Sequence, residues 1–461
     1  MPAAPARHRT LALLAFAQLI ISIDYNIVYV ALPRIGSGLG FSGQTLQWVV
    51  SAYAVTFGGF LLLGGRAADL LGRRRMFAFG LLLYAVSSAA GGLATSPWVL
   101  IAARAGQGIG GAFLFPATLS LVTTTFPEGR ERNRALSVWA ASGAGGMILG
   151  SLLGGVLTQL FGWAAVFFVN VPLACGALLL AFRLIAQDPA RSTTRGFDLP
   201  GALTGTAGAT LVVFALVQGP ESGWTAAGVV AAALGGAGFL TAFLRIETRS
   251  RDPLVPLRLF ANRDLSVGVA VTFLFMATFG TLLYFLTSYF QRVHGYSAWQ
   301  TGVAFLVPMA AGFAGSMAGG RLVTRFGVRT TMTTSLAVGA AGTVATASAM
   351  TADGSYLALV PGLVVLSVCQ GVVFTTMFAA AATGVDAHEQ GVASGVVSTG
   401  QQVGAAVGLA LLVAIANAHS TTVDGLRASV FTAAAGIAVT VIVTLTFTSP
   451  ARVPVRWRHS A

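Results

Sequence analysis

The sequence predicts an all-α membrane protein of fourteen transmembrane helices, arranged as two six-helix bundles with a two-helix insert between them. Three observations carry this. Hydrophobic residues make up 55% of the 461 and charged residues 9%, with a mean hydropathy of +0.80; a soluble domain carries about 25% charge. The apolar residues fall in runs of about 20, the length of a bilayer-spanning helix. The arginines gather in alternate loops, as the positive-inside rule requires of a polytopic chain.

The first run, about 11–33, follows a short basic N-terminus (Arg7, Arg9). No small-residue cleavage site follows it, so it is read as a retained span and not a signal peptide. The runs at 45–65 and 76–95 are joined by the glycine- and arginine-rich stretch Gly65–Arg75. The fourth, 98–125, carries Arg104, and the fifth and sixth, 134–159 and 164–186, divide at Gly162. The runs at 199–219 and 225–245 lie between two loops bearing Arg and Pro, Asp188–Pro200 and Glu247–Arg263. Six more follow, at 265–290, 298–320, 331–350, 356–380, 391–416 and 428–448. An even count puts both termini on one side. Arg34, Arg292 and Arg427 fall on the other side and Arg104 within a span; every remaining arginine falls in the termini or in loops on the terminal side. Both termini are therefore predicted to be cytoplasmic.

An internal echo sets the domain plan. Gly320, Thr324 and Gly327 repeat Gly65, Asp69 and Gly72 at a constant offset, but eight spans later instead of six. Parallel halves are a known transporter architecture, so two spans lie outside the repeat. The predicted units are 11–188, an insert at 189–262, and 263–448.

Composition also excludes chemistries. The 27 basic residues are all Arg, and a P-loop needs a Lys. The five histidines (His8, His294, His388, His419, His459) fall in termini, loops or helix ends, with no metal-ligand spacing. Cys175 and Cys369 sit in apolar segments, which argues against a disulfide or a metal site. No cofactor, metal or enzymatic activity is expected. The net charge of +13 lies in short loops between spans, so it indicates topology and not nucleic-acid binding. The Lys-free, Ala-, Gly- and Arg-rich composition suggests a high-GC bacterium and its plasma membrane.

Asp24 is the only acid placed at mid-membrane depth. A charge there costs about 2.5–3.5 kcal/mol on insertion scales, which makes an intramembrane acid a candidate functional group. Two readings stand: a carboxylate that takes a proton from one side and releases it to the other, or a structural acid bonded to nearby backbone or to Asn26. Arg104 lies about 9 Å into the membrane at 1.5 Å per residue. It either tunes Asp24 from between helices or snorkels to a rim.

Five stretches, in order, resemble the major facilitator superfamily, and within it the fourteen-span drug:proton antiporters of the EmrB/QacA type. Asp24–Pro33 resembles their first-span motif, Gly65–Arg75 the superfamily loop motif, and Arg104–Ala112 the fourth-span motif. Gly146–Gly155 resembles the fifth-span antiporter motif, and Gly391–Gly408 the Gly/Ser-rich thirteenth span. Two departures are Ser151, where Pro is usual, and Ala164, where Arg is usual. The resemblance implies proton coupling through Asp24 and Arg104. It also implies a conformational latch of Gly65, Asp69, Gly72 and Arg73, in which Asp69 faces a helix N-terminus of the other half; a solvated loop acid is the alternative.

Gly146, Gly150 and Gly154 let helices approach closely. They form either a smooth surface between the halves, as a hinge, or ordinary packing within one half, and Gly400, Gly404 and Gly408 pose the same choice. A substrate cavity is expected between the halves. Gln18, Asn26, Gln107, Phe113 and Phe115 are candidates for its N-terminal wall and Phe275, Met276, Phe279 and Tyr284 for its C-terminal wall. Aromatic and Met side chains with a few polar groups suit planar lipophilic ligands.

The sequence thus points to a proton-coupled exporter of hydrophobic drugs or antibiotics, whose partners are protons, a small hydrophobic substrate and the lipid bilayer. Two rivals share the architecture: a dedicated exporter of one endogenous secondary metabolite, and an uptake symporter. A membrane sensor or scaffold is the non-transport rival, without a soluble domain to support it.

Overall fold

The structure, a computed structural model, describes residues 4–187, 198–250, 252–383, 385–386 and 389–447. Most of the loop before the seventh run, His388, and 448–461 with His459 lie outside the described residues. Fourteen long helical segments follow one another: α1 Ala4–Leu39, α2 Trp48–Leu71, α3 Arg73–Gly92, α4 Pro97–Thr125, α5 Arg130–Phe161, α6 Ala165–Leu184, α7 Leu199–Ser222, α8 Ala227–Glu247, α9 Arg263–Val293, α10 Ala298–Phe326, α11 Val328–Ala349, α12 Tyr356–Ala381, α13 Gln390–Asn417 and α14 Thr422–Thr444.

Thirteen of these are long and apolar enough to cross a membrane, among the described residues. The exception is α11, whose six threonines dilute its apolar character. Their effect is local: Thr334, Thr343 and Thr346 each return their hydroxyl to the carbonyl four residues back, at 2.8, 2.8 and 2.9 Å.

Several boundaries differ from the apolar runs. The first helix does not stop at Pro33 but runs through it to Leu39. Its last turns are held partly by Arg34, which donates from Nη1 to the Thr158 carbonyl of α5 at 3.2 Å. Helix α6 is interrupted after Phe168 and resumes at Asn170. Helix α9 tightens to a 3-10 turn at Phe279–Thr281 and loosens to a π turn at Tyr289–Val293. Two glycines of the internal echo share one task. Gly72 (φ 105°) separates α2 from α3 and Gly327 (φ 82°) separates α10 from α11, in a backbone region that side chains disfavour.

Helices α1–α6 pack mainly on one another, as do α9–α14, and α7 and α8 form a hairpin that leans through α7 on α2. The hairpin seat is close. A Cβ on Gly59 would overlap Thr210, and Val213 lies 3.2 Å from the Cβ position of Gly58. The rings of Trp48 and Phe214 are 5.7 Å apart.

The glycine faces pack within each set of helices. Cβ atoms on Gly146, Gly150 and Gly154 would meet α1 at the carbonyls of Leu19 (2.7 Å), Ile23 (2.5 Å) and Ile27 (2.9 Å). Gly404 and Gly408 close in the same way on Phe273 and Ala277 of α9. The expected smooth surface between halves is therefore not what Gly146, Gly150 and Gly154 make: they form the α1–α5 contact inside the N-terminal set. Spacing reports close approach, but it does not report the partner.

Candidate functional site

Asp24 sits midway along α1 and is fully buried. Four helices supply what surrounds it. On α4, Arg104 and Gln107 are three residues apart and so share a face. Arg104 donates from Nη1 to Asp24 Oδ2 at 2.7 Å. Gln107 donates from Nε2 to Oδ1 at 3.1 Å. From α6, Asn170 donates from Nδ2 to Oδ1 at 2.7 Å. These three side chains all donate to the carboxylate, the arrangement an ionised acid satisfies. The cluster is braced from outside: Gln107 also donates to Ser88 of α3 at 2.7 Å, and Arg104 Nε donates to the Val49 carbonyl of α2 at 2.9 Å. The guanidinium carbon lies 4.4 Å from the centre of the Tyr53 ring, within cation–π range.

Arg104 is 2% exposed, so it does not snorkel to a rim. Asn26 is not Asp24's partner either; it donates to the Met147 carbonyl of α5 at 3.0 Å. Removing one member of such a buried pair costs about 3–5 kcal/mol, because the other charge stays buried.

A second acid caps a helix. Asp69, near the end of α2, is 3% exposed. Its Oδ2 accepts from the Val392 N–H at 2.7 Å, and its Oδ1 accepts from the Gly391 N–H and from Arg73 Nη2, each at 3.0 Å. The first N–H groups of α13 have no partner within their own helix and carry its positive end. Gly65 sits so near Gly391 that a Cβ on it would overlap the Gly391 carbonyl oxygen. The solvated-loop reading of Asp69 does not describe this structure.

Other joints between the two sets of helices fall at the same end. Ser137 Oγ of α5 accepts from the Gly320 N–H at 2.7 Å, Asn133 donates to Thr324 Oγ1 at 3.1 Å, and Arg132 donates to the Ala382 carbonyl at 3.4 Å. Nearby, Arg258 pairs with Glu389, the residue before α13, at 2.5 Å.

The predicted substrate residues lie in different surroundings, and of them Phe115 meets Phe378 of the other set of helices, with ring centres 6.3 Å apart. Phe275 and Phe279 are buried against each other with ring centres 5.5 Å apart, and Met276 Sδ accepts from Gln401 Nε2 at 3.7 Å. Gln18 is buried beside Gly143 and donates weakly to Ser22 at 3.5 Å. Phe113 meets Phe79 edge-on at 5.2 Å, and Phe79 is exposed on α3, which places Phe113 apart from the C-terminal candidates. Tyr284 lines a cleft of about 220 Å³ with Arg292, Asn417 and His419, at the end of α9 away from the joints. Gln107 and Asn26 are engaged as described above.

Two residues of the Asp24 cluster escaped the sequence reading. Asn170 is the only amide in the apolar run at 164–186, and a lone amide at that depth carries a weaker form of the signal that a lone acid carries. Ser88 carries no such signal.

Comparison with known proteins agrees with this architecture. The Major Facilitator Superfamily model matches residues 14–409. The chain is 40% identical over 410 residues to the cephamycin export protein of Amycolatopsis lactamdurans, covering 88% of this chain and 84% of that one. It is 39% identical over 413 residues to the puromycin resistance protein of Streptomyces alboniger, covering 88% and 81%. Among solved structures, the human organic anion transporter superposes with a TM-score of 0.73 at 17% identity, covering 96% of this chain and all of that one. The fold, the matched length and these relatives together make the chain a member of the Major Facilitator Superfamily, a family of transporters and not of enzymes.

Proposed function

We propose that this protein is a proton-driven exporter of hydrophobic drug-like or antibiotic molecules. Relatives named for cephamycin export and for puromycin, lincomycin and methylenomycin A resistance support the direction and the substrate class. The observation that carries the coupling is the Asp24–Arg104 pair, 2.7 Å apart and buried among side chains that donate to the carboxylate.

In this reading α11 also spans, which completes fourteen helices of the drug:proton antiporter type: bundles at 11–188 and 263–448, an insert at 189–262, and both termini cytoplasmic in a bacterial plasma membrane. The joints at Asp69, Ser137 and Arg132 then close the cytoplasmic face, and Asp69, with Gly65, Gly72 and Arg73, is the latch. A proton from outside reaches Asp24 and releases Arg104 to Val49 and Gln107. The rearrangement of α1 against α4 then loosens the latch, and the cavity opens inward. Substrate enters, the proton leaves to the cytoplasm, and the ion pair reforms as the inner face closes. Binding and coupling are separate: Asp24 takes the proton, and a lipophilic cavity between the bundles takes the substrate.

A narrower reading also has support. Those four relatives are each named for a single antibiotic, as expected of a dedicated exporter of one compound. A drug-susceptibility panel on a deletion strain tests both: sensitisation to several unrelated compounds supports the broad reading, and to one compound the narrow reading. No sensitisation to any compound, with no export of any from vesicles, overturns both.

A further inference from the structure

Three aromatic rings meet where the two sets of helices join. Trp139 of α5 and Phe378 of α12 cross edge-on, with ring centres 5.1 Å apart and planes at 87°. Phe115 of α4 lies 5.3 Å from Trp139 and 6.3 Å from Phe378. Each ring is backed by another within its own set: Phe57 lies 6.1 Å from Phe115, and Phe374 lies 5.2 Å from Phe378. All three central rings are buried. The space beside them, lined by Phe378, Leu119, Thr123, Gln390 and Ser394, is about 10 Å³, room for one water. The rings therefore form a tight plug, only two residues along α5 from the Ser137 joint.

One feature does not suit a plug. The Trp139 indole N–H is buried with no hydrogen-bond partner. A buried Trp N–H usually finds an acceptor, and an unpaired one calls for a reason. Phenylalanine would fill a purely apolar plug without that cost. The donor has a use when the joints at Ser137 and Asp69 part, because Trp139 and Phe115 then move away from Phe378 and all three faces line the mouth of the cavity.

We propose that these residues are the substrate entry site. A planar apolar molecule inserts between Trp139 and Phe378, and a carbonyl or ether oxygen on it accepts from the Trp139 indole N–H. Guest and plug compete for the same ring faces, so closure of the plug expels the guest toward the far mouth. This site rests on the export reading and adds to it a defined location and a required acceptor on the substrate.

The test is transport into inside-out vesicles with an imposed proton gradient, at matched protein level, using puromycin and ethidium. Puromycin carries carbonyl and ether oxygens; ethidium is planar and has neither. Trp139→Phe is expected to raise KM for puromycin about tenfold, the loss of roughly one hydrogen bond. Its maximal rate should stay within twofold, and so should KM for ethidium. Phe378→Leu, which thins the stacking face and keeps the donor, should raise KM for both. Unchanged KM for puromycin in Trp139→Phe overturns the site and leaves the export reading standing. A KM shift equal for both compounds in that variant also overturns it, because a change in plug closure alone would do that. Wild-type vesicles that move neither compound overturn the broad export reading and this site with it.

Discussion

The Asp69 carboxylate accepts from the Val392 N–H at 2.7 Å across 323 residues of chain. The bond ties the end of α2 to the first turn of α13, and the same carboxylate holds Arg73 at 3.0 Å. An acid is therefore placed against the positive end of a helix that belongs to the other set.

Asp69→Asn keeps the shape and removes the charge. Hydrogen bonds to charged groups contribute about 1.5–3 kcal/mol, so the closed form should lose roughly tenfold or more in population. We expect cysteines placed on the α2 and α13 faces of this joint to become labelled by a thiol reagent from the terminal side in Asp69→Asn. Labelling equal to that in an otherwise wild-type background would show that the contact does not hold the joint.

Gly391 tests the same joint by volume. A Cβ there would come 2.5 Å from the Gly65 carbonyl oxygen and 2.6 Å from Asp69 Cγ. Gly391→Ala should open the joint as Asp69→Asn does while leaving every charge in place. Gly155, which has nothing within 4 Å, is the control: Gly155→Ala should change neither labelling nor transport.

The hairpin of α7 and α8 is predicted to be dispensable for coupling. It contributes no side chain to the Asp24 cluster. Exchanging 199–245 for another two-span hairpin with similar flanking charges should lower expression more than transport per molecule, because the seat of Thr210 and Val213 on Gly59 and Gly58 is lost. Abolished transport at normal protein level would place the hairpin in the mechanism.

Topology gives a direct check on α11. If it spans, reporters fused at Gly327 and Asp353 should read opposite sides, with Asp353 and Gly295 outside and the C-terminus inside. Matching signals at Gly327 and Asp353 would remove α11 from the span count.

Much of this was legible in the sequence, for physical reasons. Apolar runs near bilayer length mark helices almost wherever they fall, and α11 is the weak case because its threonines lower its hydropathy even though their hydroxyls are satisfied within the helix. Asp24 and Arg104 stood out because charges are costly at that depth, and the structure brings them together. Asn170 did not, because an amide in an apolar run is less conspicuous than an acid. The glycine spacing on α5 predicted close approach but could not name α1 as its partner. The pocket was least legible: aromatic residues are common on every face of a membrane helix, and Phe113 and Phe275 read alike in sequence yet lie in different surroundings. Of the aromatic joint only Phe115 was a candidate in the sequence; Trp139 and Phe378 carry no signal there, since only tertiary packing sets them across the two sets of helices.

Asp24 carries the proposed coupling. One proton moving inward supplies about 1.4 kcal/mol per pH unit and about 2.3 kcal/mol per 100 mV. Together these support a gradient of roughly 500-fold for a neutral substrate at one proton each. The measurement is export into inside-out vesicles with an imposed pH gradient, comparing wild type with Asp24→Asn and Asp24→Glu at equal protein level. The Asn side chain is nearly isosteric and cannot exchange a proton, so Asp24→Asn should lose accumulation against the gradient and keep substrate binding in detergent. Asp24→Glu should retain part of the transport. Asp24→Asn vesicles that accumulate substrate uphill with the pH dependence of wild type would contradict the assignment and place the coupling proton elsewhere.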